Sequence, residues 1–283
     1  MRSPIRVSGW NEPMSRFRSN PSLFVGLAML VLLAGFVALG QIWTPHDPFE
    51  VDYGNTLQPP SLANWFGTDD LGRDVASRVL AGGYVDLKVA LICVVAPALL
   101  GVMIGAISGF IGGRVDTFIM RITDIFWAFP FYVLVIAIVG VLGPGEANLY
   151  LAFLLVNWIS FARIVRGEVL VLRNLEFVQA ARSLGCTTPR IVTAHILPNA
   201  VNPAIVYAMA DVVLTILAVT SLSFLGLGIQ PPTPEWGLMI SDGRQFLFDA
   251  WWIATFPGFA IIYTGVTFAL IGEGLDTALR PKG

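Results

Sequence analysis

Apolar residues occur in long, nearly uninterrupted stretches along the chain, and segments rich in Pro, Asp, Asn and Arg separate them. A membrane-spanning helix needs about 20 mostly apolar residues, and six stretches approach that length. They lie between Arg18 and His46, between Lys88 and Arg114, at about 122–142, between Glu146 and Arg163, at about 200–222, and between Asp249 and Glu273. This pattern predicts an all-α, polytopic membrane bundle of six transmembrane helices.

Charged residues bear on two of these stretches. The stretch between Glu146 and Arg163 is shorter than a span requires. Its helix is therefore either short or continues past Arg163, whose long side chain then reaches back to the interface. Near the start of the third stretch, Arg121 and Asp124 are three residues apart, a spacing that favours an ion pair on one helix face. We expect that pair to anchor the end of the helix.

The composition agrees with a membrane protein. Of the 283 residues, 55% are hydrophobic and 13% are charged, whereas soluble domains carry roughly 25% charged residues. A soluble globule cannot bury so large an apolar fraction, so most of this surface must face lipid or other helices. The net charge of -2 gives no reason to expect a nucleic-acid partner.

The distribution of basic residues predicts the orientation. If the N-terminus lies in the cytoplasm, all but four of the 17 Lys and Arg residues fall on the cytoplasmic side. Cytoplasmic loops of membrane proteins are enriched in these residues. We therefore predict a multi-pass protein of the cell (inner) membrane with both termini in the cytoplasm. The four exceptions are Arg73, Arg78, Lys88 and Arg244.

Three segments outside the predicted spans are long enough to carry function. Residues 44–85 and 223–250 are expected on the external side, and residues 164–198 in the cytoplasm. Cys93 and Cys186 would lie near opposite faces of the bilayer and should not form a disulfide. The predicted organisation is a cytoplasmic N-terminal segment at 1–21, a first transmembrane helix with an external loop at 22–86, and a transmembrane domain at 87–283.

Residues 174–198 carry the signals of two short helices. Asn174 is a good N-cap, and Gly185 sits where a C′ glycine ends a helix. Pro189 suits the first position of a second helix, which Pro198 is expected to end. Three interpretations follow: a hairpin that covers the bundle, a helix-turn-helix DNA reader, which is unexpected between two spans, or a docking element for a soluble partner.

The docking interpretation gains support from small residues and from spacing. Ala180 and Ala181 together predict a small, flat surface that permits close approach. The same segment resembles the EAA loop of permease subunits of ATP-binding-cassette (ABC) importers. Gln179 stands where that family has Glu, and His195 where its general pattern has Ile. The residues that the resemblance assigns to coupling with the ATPase are Gln179, Ala180, Ala181, Gly185, His195, Leu197 and Pro198.

Two further segments, 67–83 and 221–237, resemble the C-type permeases of dipeptide and oligopeptide systems within the peptide/nickel subgroup. The resemblance implies the type I ABC importer permease (MetI-like) fold and import of dipeptides or oligopeptides. It also implies a second and different permease subunit, two ATP-binding subunits that use ATP and Mg²⁺, and an extracytoplasmic solute-binding protein. The chain itself would need no cofactor. Nickel, haem or glutathione remains an alternative cargo of the same family.

Four acidic residues are further candidates. Asp211 lies inside the fifth predicted span, where a charge is costly, so it is expected to face the pathway or to make a structural hydrogen bond inside the bundle. Asp69, Asp70 and Asp74 cluster beside Arg73, with Asp70 and Asp74 spaced to share a helix face. They predict either a docking surface for a binding protein or a capped, solvated helix start.

Catalytic and metal-binding motifs are missing from the sequence. There is no phosphate-binding P-loop, no His-Glu zinc motif and no serine elbow, so we predict no catalytic residue, no metal site and no enzymatic activity on this chain. A channel or secondary transporter without ATPases is the alternative from another class, with Asp124 and Asp211 as its candidate coupling residues. A membrane scaffold protein is a third interpretation.

Overall fold

A computed structural model describes residues 20–279, which form helices and connecting segments. The predicted N-terminal segment lies almost entirely outside this range, as do several of the basic residues used for orientation, namely Arg2, Arg6, Arg16, Arg18, Arg280 and Lys282. The helices are α1 Pro21–Ile42, α2 Val75–Ile111, α3 Gly113–Trp127, α4 Phe131–Leu142, α5 Glu146–Leu172, α6 Glu176–Ser183, α7 Thr188–Ile191, α8 Leu197–Ala200, α9 Asn202–Phe224, α10 Trp236–Gly243 and α11 Trp252–Leu279. The all-α membrane bundle is therefore confirmed.

Within the described residues, α1, α2, α5, α9 and α11 are each long and apolar enough to cross a membrane. Helices α3 and α4 meet at an 85° bend and make a sixth span only if counted together. The prediction of one continuous helix at 122–142 is wrong. Pro130 has no N–H to donate and disfavours helical backbone at the residue before it, so the helix breaks there.

Helix α5 resolves the question left open by the sequence. It runs for 27 residues and continues past Arg163. The Arg163 guanidinium pairs with Asp124 at 2.5 Å and lies over the Trp127 ring at 4.1 Å from its centroid. The predicted pair between Arg121 and Asp124 is therefore wrong, because Asp124 contacts a different helix.

Helix α2 begins well before Lys88, so part of the segment predicted as an external loop is helical. Asp74 caps it by accepting a hydrogen bond from the Ser77 amide at 2.8 Å. Charged residues interrupt the first turns, which is why hydropathy alone placed the start of this helix too late. Lys88 pairs with Glu146 of α5 at 2.6 Å.

Helices α2 and α5 share the most extensive contact in the described bundle, and small residues permit it. Gly101, Gly105 and Gly109 recur every four residues along α2. A Cβ at Gly105 would collide with the Ala162 carbonyl of α5, and one at Gly109 would lie 2.9 Å from the Val169 Cβ. In lipid, helices associate through this kind of close backbone packing because water does not drive them together.

The bundle has two differently built ends. The first, which we call the cap, comprises residues 44–83 and 229–254. Trp236 is fully buried there and donates from Nε1 to the Val79 carbonyl at 2.9 Å, and Trp252 donates to the Thr68 carbonyl at 3.0 Å. The second, the loop end, comprises residues 108–116 and 166–201, where α2 finishes and α6 to α8 lie.

Candidate functional site

Helix α6 ends in a tight corner at the loop end. Gly185 has φ +76°, a left-handed conformation that favours glycine. Its amide donates to the Arg182 carbonyl at 3.0 Å, and the Cys186 amide donates to the Ala181 carbonyl at 3.1 Å. These two bonds are the Schellman pattern, so the predicted C′ glycine is confirmed. The corner fixes the direction in which the chain leaves α6.

The other predicted helix starts and ends in the loop differ from those in the structure. Leu175, not Asn174, stands at the N-cap of α6, while the Asn174 side chain donates to the Leu170 carbonyl at the end of α5. Pro189 occupies the second position of α7, whose first residue is Thr188. Pro198 does not end the second helix. A π turn at Val192–Ile196 precedes it, and the chain continues as α8 into α9, because a wider turn accommodates a proline that has no amide to donate.

The loop buries one face and exposes the other. Val178 and Ala181 of α6 are buried against the bundle. The prediction that Ala180 and Ala181 share one surface is wrong, because successive residues on a helix point about 100° apart. Ala180 is exposed and lines up with Phe177 and Leu184, the latter 84% exposed. We call these three residues, Phe177, Ala180 and Leu184, the apolar stripe.

The remaining predicted coupling residues lie around this stripe. Gln179 is exposed, and its side chain donates to the Asn174 carbonyl at 3.0 Å, which ties the start of α6 to the end of α5. Pro198 is exposed, whereas His195 and Leu197 are half-buried. The structure thus places the seven predicted residues in one compact segment, with only some of them at its surface.

Arginines join the loop end to helices α2 and α3. Arg173 donates to the Gly109 carbonyl at 2.7 Å, and the Arg182 guanidinium lies 5.1 Å from the centroid of the Phe110 ring. Arg166 of α5 binds Asp116 of α3 through Nη2 at 2.6 Å, and Asp116 also accepts from the Ser108 hydroxyl. The guanidinium stabilises the charged form of the Asp116 carboxylate. We call such a side-chain link between two helices a joint.

These joints were not evident from the sequence. One signal was available, since glycines spaced every four residues in an apolar segment indicate a close helix contact. The sequence does not reveal which residue each arginine contacts, because the partners are distant in the chain: Arg166 and Asp116 are 50 residues apart.

A cavity of about 400 Å³ lies where α3, α4, α5 and α9 meet. Asp211 lines it and is 4% exposed. Its carboxylate accepts a hydrogen bond at 2.6 Å from Asn157 Nδ2, which also lies 3.4 Å from the Cys93 carbonyl of α2. The predicted hydrogen bond inside the bundle is therefore present, and the same carboxylate borders open space. The aromatic lining residues are Phe126, Trp127, Phe129, Phe131, Tyr132 and Tyr207.

The three cap aspartates occupy different surroundings. Asp69 is buried and accepts from the Arg73 Nε at 2.6 Å, with the Arg78 Nε at 3.7 Å. Asp74 is buried as the N-cap of α2. Asp70 precedes the helix, so the expected helix face shared with Asp74 is wrong, and its side chain is 34% exposed. Docking of a binding protein through these residues stays a prediction, with Asp70 the accessible member.

Cys93 and Cys186 are free thiols, the first buried and the second half-buried. Within residues 20–279, no three or more His, Cys, Asp and Glu side chains come together in a group that could hold a metal ion.

Comparison with known families gives two matches. Residues 101–282 match the model of the binding-protein-dependent transport system inner membrane component. Residues 8–60 match the N-terminal transmembrane domain of oligopeptide transport permease C. The first match covers more than half of the chain and includes the loop end, the cavity and α11.

Individual relatives match over nearly the full length. The chain is 41% identical to a dipeptide transport system permease protein of Alkalihalophilus pseudofirmus, over 98% of this chain and 91% of that protein. It is 40% identical to an oligopeptide transport system permease protein of Bacillus subtilis, over 98% and 90%. A glutathione transport system permease protein of Escherichia coli is 42% identical, over 96% and 90%.

Proposed function

Because the chain belongs to the family of inner membrane components of binding-protein-dependent transport systems, we propose that it forms half of the translocation path of an ATP-driven peptide importer. The chain is a multi-pass membrane permease. We propose in addition that the cargo is a peptide, that ATPase subunits are the partners, and that the loop end lies in the cytoplasm. The observation that carries it is the apolar stripe on α6, presented by a fixed corner and joined by arginines to the transmembrane helices.

The stripe is suited to docking with another protein. An 84% exposed leucine beside an exposed aromatic ring and a small residue makes an apolar knob. Burying a leucine side chain contributes about 1.5–3 kcal/mol, so a groove that takes this knob gains binding energy from a few residues. We propose that the groove belongs to an ATP-binding subunit, one for this chain and one for a second, different permease chain.

The joints at the loop end provide a way to pass movement onward. Displacing α6 moves Arg182 and Arg173, and these contact the last turn of α2 at Phe110 and Gly109. The pair of Arg166 with Asp116 carries the displacement to α3. We propose that closure of the ATPase subunits on ATP and Mg²⁺ rocks these helices together and opens the path alternately to each side.

Peptides are the proposed cargo because relatives at about 40% identity are named for dipeptide and oligopeptide transport. Glutathione is itself a small peptide, so the relatives named for its transport fall in the same class. An extracytoplasmic solute-binding protein would deliver the peptide to the cap. In this proposal, both termini and the loop end lie in the cytoplasm, as the distribution of basic residues predicts.

Replacement of the stripe tests the proposal. We expect Leu184→Asp to abolish co-purification of the ATPase subunits and peptide uptake, because a carboxylate in an apolar groove must be desolvated. The matched control is Leu62→Asp, since Leu62 is 99% exposed in the cap. Both variants should reach the membrane in equal amounts. Retention of ATPase subunits and uptake by Leu184→Asp would contradict the proposal.

A further inference from the structure

The cavity beside the α3–α4 bend contains a buried carboxylate without a positive partner. Asp211 lies midway along α9, and its carboxylate accepts a hydrogen bond from the neutral Asn157 amide, with the neutral Tyr207 also lining the cavity. Within residues 20–279, no basic side chain forms an ion pair with it. A charge in this position is costly, so an uncompensated carboxylate in a transmembrane helix indicates a function.

An arginine beside the cavity is engaged elsewhere. Arg163 pairs with Asp124 and stacks on the ring of Trp127. Trp127 lines the cavity, so the arginine lies against one of the cavity's walls and is held there by another acid. A positive charge that neutralises Asp211 must therefore come from outside the described residues.

The walls favour a cation. Aromatic rings have electron-rich faces that attract an ammonium group. The interruption between helices α3 and α4, at Phe129 and Pro130, brings several rings together. Phe129 and Tyr132 are 55% and 44% exposed in the single chain, whereas the Arg163 guanidinium already lies over the ring of Trp127. The volume of about 400 Å³ suits a small molecule or two to three amino-acid residues.

We propose that this cavity binds a protonated amino group of the translocated solute, with the Asp211 carboxylate as its counter-charge and the aromatic rings around it. Asn157 acts as a positioning residue, because its amide holds the carboxylate oriented. The identification of the ammonium as the N-terminus of a peptide rests on the proposed function. The preference of the cavity for a cation does not rest on the proposed function, and it is tested separately.

The first experiment measures charge selectivity in the purified complex of the chain with its partner subunits. Ser160 lines the cavity, and Ser160→Cys in a Cys186→Ser background places a thiol beside it. Leu62→Cys provides an exposed reference thiol. Relative to that reference, we expect a trimethylammonium-ethyl methanethiosulfonate to react about tenfold faster at position 160 than its sulfonate counterpart. Equal relative rates, or an unreactive thiol because a partner side chain fills the cavity, would overturn the proposal.

The second experiment begins with Asp211 unchanged and then replaces it. Millimolar 2-phenylethylammonium should slow modification of the Ser160→Cys thiol several-fold, whereas neutral 2-phenylethanol of the same shape should not. Adding Asp211→Asn should bring the charge selectivity to that of the reference, while Asp211→Glu preserves it. Asp249→Asn, an exposed aspartate in the cap, is the control. Equal protection by both compounds, or selectivity unchanged in Asp211→Asn, would contradict the assignment.

Uptake of trialanine links the site to transport. In proteoliposomes with saturating loaded binding protein, Asp211→Asn should lower uptake about tenfold or more, while peptide binding to the isolated binding protein stays unchanged. Normal uptake by Asp211→Asn would overturn the role in transport and leave the importer intact. Failure of the unsubstituted complex to import any peptide would instead contradict the proposed function.

Discussion

The cap and the loop end use charged residues in opposite ways. In the cap, the arginine–aspartate pairs are local: Asp69 binds Arg73 and approaches Arg78, all within ten positions of the chain. At the loop end they are long-range, since Arg166 reaches Asp116 from 50 residues away. Neutral tryptophan N–H groups instead connect the two separate parts of the cap, 44–83 and 229–254. The cap therefore stabilises its own loops, whereas the loop end joins separate helices.

The largest expected effect is on the stability of the cap. Asp69→Ala leaves the buried guanidinium of Arg73 with only a 4.0 Å contact to Asp70, and it removes an acceptor of the Leu71 and Arg73 amides. Breaking a buried pair this way costs about 3–5 kcal/mol, so the midpoint of thermal unfolding in detergent should fall markedly. Asp70→Ala, at a partly exposed and more distant aspartate, should change it little. Equal effects of the two variants would mean that the cap does not depend on this local cluster.

The second effect concerns the joint between α5 and α3. Arg166→Gln should leave the unfolding midpoint within a few degrees, because a partly exposed pair contributes about 1 kcal/mol or less. It should nevertheless reduce peptide-stimulated ATP hydrolysis, since α3 no longer follows the loop end. Lys88→Gln breaks a similarly exposed pair, with Glu146, outside the loop end. If Lys88→Gln lowers coupling as much as Arg166→Gln, the loop-end joint has no special role.

The smallest effect is the pH dependence of the cap. Burial raises the pKa of the Glu235 carboxyl above its ordinary value of 4.5. The folded state thus holds a proton that the unfolded state loses, so this site's stabilisation is full below pH 4.5 and declines as pH rises through the raised pKa. Between pH 5 and 8 the unfolding midpoint should fall by roughly a few degrees.

Asp86 serves as the comparison for that measurement. Its carboxylate lies beside Glu235 and accepts from the Trp236 amide at 3.0 Å. Asp86→Asn keeps an acceptor for this amide and leaves one titrating acid in place of two, so the fall with pH should be shallower. A slope that is unchanged, or a midpoint that rises with pH, would show that these acids do not govern the cap.

The sequence predicted most of the spans, and the misses have physical causes. The apolar runs of α1, α9 and α11 are long enough to be recognised from the sequence, although α9 contains Asp211. The early start of α2 was hidden because Arg78 and Asp86 are polar in sequence yet buried and paired in the fold. The break at Pro130 was hidden because a proline in an apolar run does not reveal whether neighbouring groups keep the helix straight.

The candidate sites likewise divide into features encoded by local sequence and features that depend on tertiary packing. Gly185 was predictable, because the left-handed end of a helix is encoded by one local residue. The exposed Leu184 was not identified, since its exposure depends on which side of α6 packs on the bundle. The pair of Asn157 with Asp211 required tertiary structure, because 54 residues separate them and only helix packing brings them together.

Cross-linking at position 184 tests the central claim, that the loop end docks an ATPase, most directly. In a Cys186→Ser background, a Leu184→Cys chain in native membranes, labelled with a maleimide that carries a photoreactive benzophenone, should on illumination form a covalent product with an ATP-binding subunit, and nucleotide should change its yield. Leu62→Cys should give no such product. If position 184 forms no cross-link to an ATPase subunit, or cross-links only to other proteins, the loop end is not the coupling site.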